Sequence, residues 1–367
     1  LMFHAYDRVS PGASYSSIDG RSSVSLGMTG FVDDNSSQAV DDPTYVPLFP
    51  MCSQQVRNPD DLISRITQSA QYWSDLLFAS GGALELPKCS YHLLSWTFSI
   101  SGAPVPRSGP WPRSITLCDS QNRSNQISIR QQSFSEAYKT LGVYLEPAQS
   151  SKVQYRKLLS KLRLHARTLS LSSVTSSQAW IYYFSVYLTS VGYSLPLCHF
   201  TKAQLDYIQR NMIPVVLNKM KYCRTTARAL VFGSAYYGGL GFRHLYMVQG
   251  MGQLRFILRH LRSPGSVNDL LRITLSWFQF SAGVSFPVLQ FPHRSLPHLE
   301  GHWLRSIRDF LHHIDGQLEM HETHLPLLQR DGDQFLMDIA LQSNFSPRDL
   351  RLLFCPPSLW FFGTSTP

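Results

Sequence analysis

The sequence predicts an α+β protein, in which a mixed block of strands and one helix precedes an all-helical basic block and a helical tail. Strand-like alternation is confined to the first block, and helical periodicity dominates after Pro147. The tail alternates helical patches with proline-rich loops. The predicted domains are residues 1–147, 148–262 and 263–367. Hydrophobic residues make up 43% of the chain, which is enough for packed cores and excludes a disordered chain.

The first block opens with a predicted β-hairpin. Val24, Leu26 and Met28 alternate with small polar residues or glycine, which is the period of a strand. The strand leads into Asp33 and Asp34, and aspartate suits tight turns because it tolerates left-handed backbone. We therefore expect both carboxylates at the tip of a hairpin.

A helix is predicted next, over residues 59–80. Asn58 can cap it, Pro59 suits its first position, and Gly81 and Gly82 end it. Short β-like segments are then predicted at 84–86, 91–100, 115–118, 127–129 and 138–145.

The second block is predicted to be helical throughout. Its helices are expected at 151–171, 173–193, 201–220 (kinked near Pro214) and 243–262. Residues 168–200 carry no charged side chain, but serine and threonine interrupt the apolar run repeatedly. We interpret the segment as a buried helix and expect no membrane association.

The positive charge is concentrated in this helical block. Residues 151–262 contain sixteen Lys and Arg against one acid, Asp206. Such a field suits a polyanionic partner, although a basic face can also serve solubility alone. The predicted nucleic-acid-binding residues are Lys152, Arg156, Lys157, Lys161, Arg163 and Arg167. Interspersed aromatic residues could stack on bases or fill the core: Tyr155, Trp180, Tyr207 and Tyr222.

The six cysteines are widely spaced and form no Cys-x-x-Cys pair. This argues against a zinc ribbon and against a dense disulfide framework. An intracellular location, nuclear or cytoplasmic, is expected.

Adjacent carboxylates on a hairpin tip supply the oxygen ligands that Mg²⁺ prefers. Residues 30–34, Gly-Phe-Val-Asp-Asp, resemble the (Phe/Tyr)-x-Asp-Asp palm motif of reverse transcriptases. Residues 83–89, Ala-Leu-Glu-Leu-Pro-Lys-Cys, resemble the Leu-x-x-x-Lys motif that follows it. Residues 141–145, Leu-Gly-Val-Tyr-Leu, resemble the later primer-grip hairpin. The motifs occur in the family's order and cover residues 24–147. They are most similar in kind to those of non-LTR-like retrotransposons.

The resemblance implies a partial polymerase palm (an antiparallel sheet with one packed helix), followed by an all-α thumb or connection region. It implies that Asp33 and Asp34 bind catalytic Mg²⁺ or Mn²⁺ and that Lys88 helps to protonate the leaving pyrophosphate. The implied partners are an RNA template, a DNA primer and, in the complete enzyme, deoxynucleoside triphosphates.

The sequence departs from this family before the first motif. The family requires an earlier palm aspartate, a Gly/Pro-rich template segment and basic fingers, whereas 32 residues precede Asp33 here. Asp7 and Asp19 do not lie in apolar strand patterns. We therefore expect a fragment without polymerase activity of its own.

Two other functions are open on the sequence alone. The chain could be a non-catalytic, basic helical nucleic-acid-binding protein, in which Asp33 and Asp34 only form a turn. It could also be a nuclease-like or integrase-like enzyme that uses acidic residues for metal, although the spaced third carboxylate of such enzymes is missing.

Overall fold

The structure is a computed structural model that describes residue 6 and residues 13–18, 20–26, 28–31, 34–37, 59–93, 96–98, 104–106, 114–120, 122–299, 303–320, 333–343, 345–353 and 363–364. It combines helices with small two-stranded sheets, which confirms the predicted α+β class. The chain divides into two compact units. Unit 1 comprises residues 1–136, 264–285 and 324–367, and unit 2 comprises residues 137–263 and 286–323.

The helices are α1 (Pro59–Ala79), α2 (Lys152–Leu171), α3 (Ser176–Ile181), α4 (Leu188–Gly192), α5 (Lys202–Gln209), α6 (Ile213–Lys219), α7 (Arg228–Phe232), α8 (Leu245–Leu261), α9 (Ser266–Ala282), α10 (Trp303–His313), α11 (Leu336–Gln342) and α12 (Pro347–Leu353). A π-helical turn, Tyr182–Tyr187, joins α3 to α4. Three short 3₁₀ turns lie at Leu86–Lys88, Leu195–Leu197 and Ala235–Tyr237.

The strands are β1 (Ala13–Ser16), β2 (Ser23–Leu26), β3 (Met28–Phe31), β4 (Asp34–Ser37), β5 (Ser90–His92), β6 (Trp96–Phe98), β7 (Pro104–Pro106), β8 (Thr116–Cys118), β9 (Gln126–Ser128), β10 (Arg130–Gln132), β11 (Tyr138–Thr140), β12 (Val143–Leu145), β13 (Asp333–Gln334) and β14 (Gly363–Thr364). Strands β5 and β10 pair in parallel, and the other pairs, each formed by two successive strands, are antiparallel.

The structure corrects the strand predictions in three places. Residues 84–86 do not form a strand, because Pro87 lies in the 3₁₀ turn Leu86–Lys88. The predicted strand over 91–100 is divided between β5 and β6, which pair with different partners. The predicted strand through Val24, Leu26 and Met28 is divided between β2, which pairs with β1, and β3, which pairs with β4.

Helix α1 organises the described core of unit 1. Its predicted end is confirmed, since the amide of Gly82 donates to the Leu77 carbonyl at 2.8 Å. The Gln71 side chain accepts from the Cys118 amide at 2.8 Å and donates back to its carbonyl at 3.2 Å, which ties α1 to β8. The apolar residues buried between them are Ile63, Leu86, Ile115, Leu117 and Ile129.

Unit 2 has a larger, helical core. Thr201 forms a capping box with Gln204 at the start of α5, the position at which the third helix of this block is predicted to begin. Pro214 lies in the first turn of a separate helix, α6, so the predicted kink is a break between two helices. The buried Gln209 side chain donates to the Arg243 carbonyl at 2.8 Å and accepts from the Leu245 amide at 3.1 Å, which fixes the entry to α8.

The hairpin β11–β12 belongs to unit 2. Leu141 and Gly142 turn with φ of 49° and 83°, the left-handed values of a two-residue hairpin loop. Gly142 therefore serves the turn. The predicted boundary at 147 places this hairpin with the strands, whereas the compact units divide after residue 136.

The cysteines in the described residues, Cys89, Cys118, Cys198 and Cys223, are free thiols. Over the same described ranges, no helix has both the length and the apolar character needed to cross a membrane.

Candidate nucleic-acid interface

Helix α2 has one buried face and one basic face. The buried side chains recur every three or four residues, which places them on one side of the helix. They are Gln154, Leu158, Leu162, Ala166 and Leu169. Because these positions hold the helix against the core of unit 2, the remaining face is fixed toward solvent.

All six basic residues predicted to bind nucleic acid lie on this outer face and are exposed. They are Lys152, Arg156, Lys157, Lys161, Arg163 and Arg167. A regular helix holds them in position relative to one another, so they present a fixed array of cations. The six side chains are accessible to a ligand, and their role in binding stays a prediction.

This positive charge has little internal compensation. Within residues 151–262, all of which the structure describes, the ion pairs involve a single carboxylate, that of Asp206. Its oxygens lie 3.1 Å from Lys202 Nζ and 2.6 Å from His244 Nε2. Burial lowers the pKa of His244 even though Asp206 opposes this shift. At neutral pH we therefore interpret His244 as an uncharged donor, and Lys202 as the cation that Asp206 compensates.

Two arginines converge on Tyr207. Arg163 Nη2 donates to the Tyr207 hydroxyl at 3.4 Å, and the Arg210 guanidinium lies 4.3 Å from the centre of the Tyr207 ring. Two cations gathered around one side chain repel each other, and an anion bound between them would relieve that repulsion. The basic face of α2 thus continues onto the end of α5 through one aromatic side chain.

The hairpin β11–β12 borders the same face. Lys157 Nζ lies 5.5 Å from the centre of the Tyr144 ring, a cation–π distance. Further along the helix, Lys161 Nζ donates to the Ser190 carbonyl at 3.0 Å. These contacts orient two of the cations and leave both without a carboxylate partner among the described residues.

The predicted metal ligands, Asp33 and Asp34, follow β3 in the sequence, and Asp34 is the first residue of β4. Phe31 pairs with Asp34 in the antiparallel register, so two residues, 32 and 33, separate the paired strands. The hairpin predicted around the Asp-Asp pair is thereby confirmed in its paired strands. Asp33 itself lies outside the described residues, as does the side chain of Asp34.

Lys88 ends the 3₁₀ turn that replaces the predicted strand. Its side chain is exposed, and its Nζ lies 4.0 Å from a Glu85 carboxylate oxygen. Such exposed pairs contribute little to stability. In the described part of the chain, no three His, Cys, Asp or Glu side chains cluster closely enough to hold a metal ion.

The aromatic residues considered for stacking differ in exposure. Tyr155 packs edge-on against the buried Phe200, with ring centres 5.6 Å apart, and serves the core. Trp180, Tyr207 and Tyr222 are each partly exposed.

Three residues of the basic surface were not predicted from the sequence. Arg210 is one, because its proximity to Arg163 depends on the packing of α5. The others are Tyr236 and Tyr237, although their position before Gly238 and Gly239 is typical of an exposed turn.

The chain matches no family model, no curated protein and no solved structure.

Proposed function

We propose that this protein binds nucleic acid through the outer face of α2 and carries palm and thumb segments of an RNA-directed DNA polymerase. The observation that carries the binding function is the exposed array of six cations on α2, in a segment (151–262) whose one carboxylate is already paired. Phosphate contacts require accessible, uncompensated cations. An RNA–DNA hybrid is the ligand that the sequence resemblance implies.

The polymerase origin is supported by three motifs in the order of the family. Two of them coincide with hairpins of the kind the family places there: β3–β4 spans the Asp-Asp pair, and β11–β12 carries the Leu-Gly turn. The middle motif has the family's lysine, Lys88, but on a 3₁₀ turn.

The donor chemistry of Asp33 and Asp34 suits Mg²⁺ or Mn²⁺, but two adjacent carboxylates are an incomplete set for nucleotidyl transfer. We assign no catalytic step to this chain and propose that it does not polymerise alone.

The binding proposal is tested by the salt dependence of affinity for a labelled RNA–DNA hybrid. Fluorescence anisotropy measures it between about 50 and 200 mM salt, a range over which several phosphate contacts cost orders of magnitude in affinity. We expect a steep linear fall of log K with log salt. The double variant R156Q/R163Q should flatten the slope by about 0.9 for each phosphate that it no longer neutralises.

The matched control is R255Q/R259Q, which removes the same charge from exposed positions of α8. It should retain the wild-type slope. Equal flattening in both variants would show that net charge, not the face of α2, determines binding. Wild-type binding that does not depend on salt would refute the interface altogether.

The second candidate function is that of a non-catalytic nucleic-acid-binding protein. Among the described strands, β3 and β4 pair only with each other, whereas the polymerase resemblance implies that this hairpin belongs to a palm sheet. Calorimetric titration with Mn²⁺ separates the two candidates. The polymerase origin predicts binding that D33N/D34N abolishes. Unchanged Mn²⁺ binding in that variant would leave the non-catalytic function standing.

A further inference from the structure

Tyr236 and Tyr237 are the most exposed large apolar side chains described. Their exposed fractions are 87% and 85%, and the next highest, that of Leu171, is 76%. The two rings contact each other edge to face, with centres 4.9 Å apart and planes at 90°. Two neighbouring aromatic rings standing in solvent are unusual, because each leaves a large apolar area in contact with water.

The backbone that carries these rings is held rigidly. The amide of Tyr236 donates to Ser234 Oγ at 3.2 Å, and the amides of Tyr237 and Gly239 donate to the Ser234 carbonyl at 3.0 and 2.9 Å. Gly238 between them has φ of 82°, a left-handed value that favours glycine. The tyrosines therefore occupy the tip of a defined turn.

The base of the turn is closed by close backbone packing. A Cβ added to Gly239 would lie 2.3 Å from the Gly233 carbonyl oxygen, so only glycine fits there. Below it, the Phe242 amide donates to the Val231 carbonyl at 3.1 Å, and both side chains are buried. This anchoring to the core of unit 2 reduces the ordering entropy that binding at the tip would otherwise cost.

Of Lys, Arg, Asp and Glu, the surrounding segment contains only the two positively charged types. Residues 219–243 contain five cations and no carboxylate. Four of them are exposed: Lys221, Arg224, Arg228 and Arg243. A partner of this surface must therefore offer flat apolar groups and negative charge together, and unpaired nucleotides provide both.

We propose that Tyr236 and Tyr237 form a stacking platform for the unpaired bases of single-stranded nucleic acid. This inference rests on the proposed nucleic-acid-binding function and adds an unpaired strand to the duplex that the face of α2 binds. Bases within a duplex are stacked on each other and present no free face to the rings. Because the two rings are perpendicular, they cannot enter one continuous stack, and each takes a base that has left its neighbours. Weakly self-stacking pyrimidine tracts are thus the preferred ligand.

The test compares the affinity of the full chain for a labelled oligo-dT single strand and for a duplex of equal length. The variant Y236S/Y237S should bind the single strand at least about fivefold more weakly, since stacking on an aromatic ring contributes about 1–3 kcal/mol per base, which is about 5- to 150-fold. Its duplex affinity should change less than about twofold. Its salt slope should equal that of the wild type, because stacking releases no counterions.

Two control variants sharpen the test. Y236F/Y237F keeps the rings and should retain wild-type affinity. Tyr193→Ser removes a tyrosine that is 60% exposed in the same unit and should leave single-strand binding unchanged.

The failures of the two proposals are distinguishable. If Y236S/Y237S binds the single strand as tightly as the wild type while R156Q/R163Q is weakened, the stacking platform is refuted and the α2 interface stands. If the wild type binds neither ligand, both are refuted. If Y236S/Y237S loses single-strand and duplex affinity equally, the turn does not read unpaired bases.

Discussion

The backbone amide of Tyr144 donates to the buried side chain of Gln154 at 3.0 Å. This bond joins the hairpin β11–β12 to the first turn of α2, so the hairpin shares the helical unit. The proposed interface depends on it, because the Tyr144 ring also lies beside Lys157. Among the buried side chains of α2, Gln154 is polar and the others are apolar.

Replacing Gln154 with Ala should destabilise the protein by about 1–3 kcal/mol, because the partly buried Tyr144 amide loses its acceptor. Urea denaturation followed by circular dichroism gives the free energy of unfolding. The exposed Ser160→Ala on the same helix serves as control and should change stability by less than about 0.5 kcal/mol. Equal stability of Gln154→Ala and the wild type would mean that water replaces the lost acceptor.

Gly250→Ala should destabilise unit 2, even though alanine is more favourable than glycine in an exposed helix by about 1 kcal/mol. A Cβ at Gly250 of α8 would lie 2.2 Å from the Phe310 ring of α10, so the ring must shift. Overpacking of this kind costs about 1–3 kcal/mol. Thermal unfolding checks the sign of the change.

The same close approach predicts coupling between the two positions. In a Phe310→Leu background the penalty of Gly250→Ala should shrink, since the smaller side chain leaves room for the methyl group. An additive double variant would show that the cost does not arise from Phe310.

The stability of the protein should fall as the pH decreases below the ordinary histidine pKa of 6.5, partly through His165. Burial, and then the charge of Lys161, lowers the pKa of His165 below its usual 6.5. The unfolded chain therefore takes up the proton first. The contribution of neutral His165 to stability is complete above the pKa of this histidine in the unfolded chain. It is lost as the pH falls through its lower pKa in the folded protein.

The hydrogen bonds of His165 explain why the neutral form fits. The Ser190 hydroxyl donates to the Tyr187 carbonyl at 2.9 Å, so at 3.2 Å it accepts from His165 Nε2. The Tyr182 hydroxyl, 2.7 Å from Nδ1, is then the donor to that nitrogen. His165→Gln should lower stability at neutral pH by about 1–2 kcal/mol. It should also flatten the dependence of unfolding free energy on pH, measured by urea denaturation. A slope identical to that of the wild type would contradict this assignment.

Asp33→Asn should leave the melting temperature unchanged or slightly raised in metal-free buffer, because adjacent carboxylates repel each other when no cation is bound. Differential scanning fluorimetry with a chelator present measures this melting temperature. In separate samples without chelator, added Mn²⁺ should stabilise the wild type more than the variant. A large loss of melting temperature without metal would instead assign Asp33 a structural role.

The sequence alone predicted the features that depend on local interactions. Helix α1, the two long helices of the basic block, α2 and α8, and the hairpins β3–β4 and β11–β12 follow from residue periodicity, caps and left-handed backbone preference, all of which act over a few neighbouring residues. The concentration of charge in residues 151–262 is likewise a property of composition. The assignment of Asp33, Asp34 and Lys88 to a polymerase site remains a prediction from motif resemblance.

Tertiary structure decided what depends on contacts between distant residues. The parallel pairing of β5 with β10 joins segments 40 residues apart, since Ser90 faces Arg130. Arg163 and Arg210 meet at Tyr207 only because α5 packs near α2. The sequence indicates a turn at Gly238 and Gly239, but the anchoring of its base through the buried Val231 and Phe242 depends on tertiary packing, and it holds Tyr236 and Tyr237 in solvent. Burial is set by what the rest of the chain places against a residue, and local sequence does not contain that information.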